Sequence, residues 1–161
     1  MVAAATAIVI GRAEPSAEIV NMALGDVFAI GQVYTVTVQR YLKGGGPGTL
    51  KVIQAEGDIF KPVACVTAQD ITLARTLYAK DYIPMQVDTD YLLLLSHPPL
   101  PGLSTDYWFG VDRRWRWRLQ PDGLGVLEVV GYTFPAEPTP TWSDSLPIVP
   151  QIEALINSTH P

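Results

Sequence analysis

Ser96-His97, followed by Ser104 and Asp106, supplies the residue types of a nucleophile, a base and an orienting acid. No serine sits in a Gly-x-Ser-x-Gly elbow, so no catalytic residue is assigned. His97, directly before Pro98-Pro99, reads as the surface end of a strand, and His160 lies beside the last residue. Asp58, Asp70, Asp81, Asp88 and Asp90 make the middle of the chain acidic, a chemistry that suits a hard cation where carboxylates converge. Their spacing is not that of an EF-hand, and it fits a solvated strand face, so no metal site is assigned. The two histidines stand far apart, and Cys65 in "PVACVT" reads as a buried, inert thiol. "KGGGPG" at 43–48 and "GLG" at 123–125 lack the Gly-Lys-Ser/Thr ending of a phosphate loop and read as turns; no cofactor is expected.

The strongest local signal is "DRRWRWRL" at 112–119, which gathers four of the eleven basic residues around two of the four tryptophans. A strand sends successive side chains to opposite faces, which groups Trp115, Trp117 and Leu119 against Arg114, Arg116 and Arg118. Burying a tryptophan removes roughly 150–250 Å² from water, about 4–6 kcal/mol gross. Neighbouring arginines about 6.6 Å apart repel by only about 0.6 kcal/mol in water. The expectation is therefore a core-facing tryptophan row and a solvent-facing arginine row. A three-residue corner Pro121-Asp122-Gly123 would then place Arg116 opposite Glu128, Trp117 opposite Leu127 and Trp115 opposite Val129. The candidate ligand-binding residues are Arg114, Arg116 and Arg118, which would hold phosphate or an acidic partner, with Trp108 available for stacking.

These residues need a scaffold, and 161 residues with 48% hydrophobic and only 17% charged side chains suffice for one packed domain. The formal charge of −5 disfavours nucleic acid as a partner, and no apolar run reaches the length needed to cross a bilayer. One cysteine cannot form an intramolecular disulfide, so stability must come from packing. The apolar start lacks the positive region and cleavage site of a complete signal peptide.

Along the chain, "TAIVIGR" at 6–12 reads as a first strand buried on both faces, with Gly11 as a bend or bulge. Asp26–Gly44 alternates as a long strand and turns at the glycine-rich corner into "TLKVIQA". "ITLARTLYA" fits a strand or a short helix equally. Tyr91–Leu95 is an apolar strand, and the Pro-Asp-Gly hairpin follows. The division expected is a β-barrel domain over 1–134, then a proline-rich tether and short C-terminal helix over 135–161. That helix opens near Pro150 and packs on the barrel through Ile152, Leu155 and Ile156.

The fold class expected is mainly β: an OB-like, closed or partly open antiparallel β-barrel with a short C-terminal helix. The succession "AIVIGRA", "YTVTVQRYLKGGGPGTLKV", "VDTDYLLLLS", "YWFGVD" and "PDG" resembles bacterial domains related to the tissue-inhibitor-of-metalloproteinases and netrin module. The resemblance covers most of residues 6–157 and implies an OB-like barrel and an extracytoplasmic bacterial home, with any signal removed. The cysteine chemistry of the animal inhibitors does not carry over, since residue 1 is Met1 and the sole cysteine is Cys65. The function expected is that of a binding or structural module acting through contact with another protein, without catalysis. The alternatives are single-stranded nucleic-acid or acidic-ligand binding through the arginine face, and a hydrolase.

Overall fold

The β-branched run that begins at Ala7 opens a strand longer than its apolar stretch, β1 (Ala7–Leu24), in the computed structural model of the chain. Residues 2–24, 27–59, 65–78, 83–97, 104–111, 115–128 and 146–159 are described. β1 pairs antiparallel with β2 (Val27–Lys43) along most of its length. Register shifts at Ile10/Gly11 and between Pro15 and Ile19 bend the ribbon, the first at the glycine where the sequence suggested it. Proline is tolerated at the second because a bulge leaves ladder positions unpaired.

β3 (Thr49–Ile59) follows the glycine-rich corner and pairs with β2. The ambiguous middle segment is helical, α1 (Ala68–Tyr78). Thr67 and Asp70 form a reciprocal cap: the Thr67 amide donates to the Asp70 carboxylate at 2.9 Å, and the Asp70 amide to the Thr67 hydroxyl at 3.3 Å. α1 buries Ala74 beside Ile30 of β2. The remaining elements are β4 (Thr89–Ser96), β5 (Tyr107–Gly110), β6 (Arg116–Leu119), β7 (Gly125–Glu128) and α2 (Ile148–Thr159).

Among the described residues, seven strands make one sheet in the order β1-β2-β3-β5-β4-β6-β7, and β1 also pairs with β4. Five of them therefore form a ring, β1-β2-β3-β5-β4 and back to β1, which is barrel-like without being closed. The ladders are antiparallel except β3 with β5, so the sheet is mixed where a purely antiparallel one was expected. One edge of β4 is shared: Leu95 and Ser96 pair with β5, while Tyr91, Leu92 and Leu93 pair with β6. β5 reaches β3 only over Lys51–Ile53, which leaves the seam between the ends of β3 and β6 to side chains.

β4 and the start of β1 are buried on both faces. Ala7, Val9, Tyr91, Leu93 and Leu95 point into the ring with Tyr34, Val36, Leu50, Val52 and Trp115. Ile8, Leu92 and Leu94 point outward and are covered by Val2, Ala5, Trp117 and, from α2, Ile148 and Ile152. This explains why "YLLLL" shows no alternation: both sides of the strand leave water. A third group, Val20, Met22, Val33, Ile53 and Tyr107, packs elsewhere on the sheet.

α2 begins two residues before Pro150, whose missing amide falls among the unpaired donors of the first turn. Ile152 is fully buried and Ile156 partly so, but Leu155 is exposed rather than packed on the barrel as its spacing suggested. Around the axis Leu155 lies about 60° to one side of Ile152, at the edge of the stripe that Ile148, Ile152 and Ile156 occupy. The helix is also pinned by Arg40 of β2, which pairs with Glu153 at 2.9 Å. Most of the proline-rich tether lies outside the described residues.

Candidate functional site

The Pro-Asp-Gly corner forms as its residues require. The Gly123 amide donates to the Gln120 carbonyl, the Gln120 amide donates to the Leu124 carbonyl, both at 2.9 Å, and Gly123 takes φ +83°. The resulting ladder sets Arg116 opposite Glu128 and Trp117 opposite Leu127, the expected register. Trp115 opposite Val129 falls outside the described residues, because Val129 does.

The outcome for the arginines differs from the row expected. Arg116 pairs with Leu93 on β4, whose side chain points into the ring, so Arg116 points inward too and is 0% exposed. Its Nε lies 2.8 Å from Glu128 Oε2, close but not aligned for a hydrogen bond. Nη1 donates to the Gln54 side-chain oxygen on β3 and Nη2 to the Ile83 carbonyl. The guanidinium also lies 5.8 Å from the Tyr91 ring centre and 5.6 Å from that of Trp115. Arg116 thus stitches the seam between β3 and β6 and is withdrawn from any solvent face. Arg118 is half-buried, its Nε 3.3 Å from Glu128 Oε1. Arg114 lies outside the described residues.

The two tryptophans are not one row either. Trp117 packs outward beneath α2, whereas Trp115 belongs to the ring interior. Trp115 precedes β6, where β5 has ended and β6 has not begun, so the two-residue alternation does not extend to it. Its ring lies against Gly110, where any Cβ would collide with it.

Above Arg116 runs a strap without regular structure, residues 83–88, that leads into β4. Its backbone is held by buried side chains. The Ile83 carbonyl accepts from Gln54 Nε2 at 2.9 Å as well as from Arg116. The Met85 amide donates to the Tyr34 hydroxyl at 3.3 Å and the Gln86 amide to the Tyr91 hydroxyl at 2.8 Å. Burial pushes the Tyr91 phenol above its ordinary pKa, which keeps it neutral. Met85 alone turns its side chain into the ring core, while Ile83 is 39% and Val87 56% exposed. Asp88 closes the strap with φ 55°, a left-handed conformation aspartate tolerates better than most residues.

Trp108 is half-buried on β5 and stacks on His97, ring centres 4.8 Å apart and planes 14° from parallel. His97 is exposed at the end of β4, and its Nε2 meets the Thr105 carbonyl. The Ser96 hydroxyl donates to the Phe109 carbonyl at 3.4 Å, and the Ser104 hydroxyl accepts from the Asp106 amide at 3.3 Å. Among the described residues no hydrogen bond links these serines, His97 and the Asp106 carboxylate into a relay. Cys65 is exposed, where its apolar neighbours suggested burial, because it stands in the turn before α1. Asp90 binds Arg12 and Gln39, both at 2.9 Å, and Asp70 caps α1. Among the described residues no group of three or more His, Cys, Asp or Glu is placed to hold a metal ion. None of their helices is long and apolar enough to cross a membrane.

On the outer face, Glu18 of β1 accepts from the Tyr107 hydroxyl and pairs with Lys51 of β3 at 3.1 Å, and Lys51 Nζ lies 5.4 Å from the Tyr107 ring centre. The tyrosine's hydrogen bond and the lysine hold the Glu18 carboxyl below the usual range. Tyr107 is correspondingly pushed up to about 12. Sequence reasoning missed both this cluster and the strap contacts, most of whose partners lie tens of residues apart. No family model, curated protein or solved structure matches the chain.

Proposed function

We propose that the chain is a binding module without catalytic activity, a barrel that presents the connection between β3 and β4 to a protein partner. The observation that carries this reading is the strap. Two buried tyrosines, a buried glutamine and a buried arginine are committed to its backbone, while Ile83 and Val87 stand in water. Leu73 on α1, 55% exposed, belongs to the same connection. Binding residues concentrate on loops positioned by a rigid scaffold, and a loop ordered beforehand loses less entropy on association.

A protein fits better than nucleic acid because the cations whose side chains are described are engaged. Arg12, Arg40 and Lys51 pair with carboxylates, Lys43 donates to the Val2 and Ala3 carbonyls, and Arg116 and Arg118 share Glu128. The net charge of −5 acts in the same direction. A partly open ring of five strands is the form of an OB-like barrel, and supports keeping the netrin-like resemblance, with its extracytoplasmic bacterial home, as part of the proposal.

The test is crosslinked capture from source cells by wild type and by an Ile83→Glu/Val87→Glu variant whose fold is verified by circular dichroism. A partner captured by the wild type and lost by the variant is the expected result. Capture indifferent to the substitutions, or salt-dependent binding of a labelled single-stranded oligonucleotide, overturns the proposal.

A further inference from the structure

A buried side chain ties the strap to the β6–β7 hairpin. Glu128 on β7 meets Arg116 on β6, and the same guanidinium donates to the Ile83 carbonyl. Glu128 pairs with Arg116 and Arg118, and its charge also acts on the Tyr91 phenol; of the two cations it is Arg116 that donates to the strap. Arg116 cannot serve Ile83, Gln54 and Glu128 from an arbitrary position, because a guanidinium is a rigid planar fork with fixed donor directions. Glu128 sets where the fork sits; the fork sets where the Ile83 carbonyl is held. Two residues on, Met85 and Gln86 close their bonds to Tyr34 and Tyr91 only with the strap in that place.

We propose that Glu128 and Arg116 form a relay that makes order in the 83–88 strap conditional on the β6–β7 hairpin, so that whatever displaces the hairpin also releases the strap. Its regulatory meaning rests on the strap being the docking surface, but the coupling is internal to the chain and is measured without any partner. Failure of the capture experiment and failure of the relay are therefore separate results. Glu128 is a positioning residue here: it acts on the strap through another side chain.

Hydrogen exchange on the full chain tests it, read at the Met85 and Gln86 amides and, for the ring, at the Val36 and Leu93 amides. The charged hydrogen bond from Arg116 to the Ile83 carbonyl is strong enough that its loosening by Glu128→Gln should speed exchange of the two strap amides by about tenfold or more. The ring amides should change by a clearly smaller factor. In an Arg116→Met background, where the relay is already cut and the action of the Glu128 charge on Tyr91 remains, adding Glu128→Gln should change the strap amides by a clearly smaller factor. Glu128→Asp, which keeps the charge but shortens the reach, serves in the first comparison if Glu128→Gln does not fold. Strap and ring amides accelerating in step, strap amides that do not respond, or an equal effect of Glu128→Gln with and without Arg116 would each overturn the relay.

Discussion

Arg116 and Glu128 face each other across the β6–β7 ladder and close an ion pair at 2.8 Å in which the arginine side chain is wholly removed from water. A charge in that position is tolerable only with its counter-charge and hydrogen-bond acceptors in place, and Gln54 and the Ile83 carbonyl supply the latter. The pair belongs to the fold and not to a ligand surface.

Removing one partner should consequently cost more than removing both. Glu128→Ala is expected to lower unfolding free energy by about 3–5 kcal/mol, because it strands a buried guanidinium. Arg116→Met combined with Glu128→Ala should cost less than Glu128→Ala alone, because no buried charge is then left without its partner. Urea denaturation of the two single variants and the double variant measures the difference.

The Glu18–Tyr107 bond should shape both limbs of the pH–stability curve. The Glu18 pKa is depressed in the folded chain, so its contribution is present above the ordinary carboxylate range and fades as pH falls through the folded value. Tyr107 is raised from 10.0 to about 12, so its contribution is present below pH 10.0 and is lost as pH rises toward about 12. Tyr107→Phe should flatten the decline on both sides, and thermal melts across the pH range would show whether it does.

On α2, neighbouring apolar positions should behave differently. Ile152 is fully buried, and Ile152→Ala is expected to cost about 2–5 kcal/mol. Leu155 is 39% exposed, and Leu155→Ala should stay within about 1 kcal/mol, since much of its side chain already meets water. Melting temperatures of the two variants give the comparison, and equal losses would contradict the helix orientation.

Gly110 tests the tryptophan that left the expected row. Any Cβ there meets the Trp115 ring, so Gly110→Ala must displace it from the ring interior, and a change of about 1–3 kcal/mol in stability is expected from overpacking. The fluorescence of a displaced Trp115 should shift to the red. An unshifted spectrum with unchanged stability would place the indole elsewhere.

Much of the framework was legible in local pattern. The alternation from Val33 to Arg40 marks β2, the Pro-Asp-Gly corner specifies the register that pairs Arg116 with Glu128, and the apolar run Tyr91–Leu95 marks β4. The helix at 68–78 was not legible, since "ITLARTLYA" fits a strand or a helix equally; the structure makes it helical, with Thr67 and Asp70 capping it. Nor was the strap, since Tyr34, Gln54, Tyr91 and Arg116 are tied to Ile83–Gln86 by contacts that no spacing along the chain records.

The sequence by itself determined that residues 116–119 form a strand with two dissimilar faces, and which residue stands across from each. Which face turns inward was decided only in three dimensions. Period two sorts side chains into two sets, and the choice of tryptophan inside and arginine outside assumes that one face meets water. Here neither does so fully: Trp117 is covered by α2, and Arg116 enters the ring, where Glu128, Gln54 and a backbone carbonyl replace its hydration. Hydrophobicity decides between a wet face and a dry one, but between two dry faces the decision passes to the available hydrogen-bond partners.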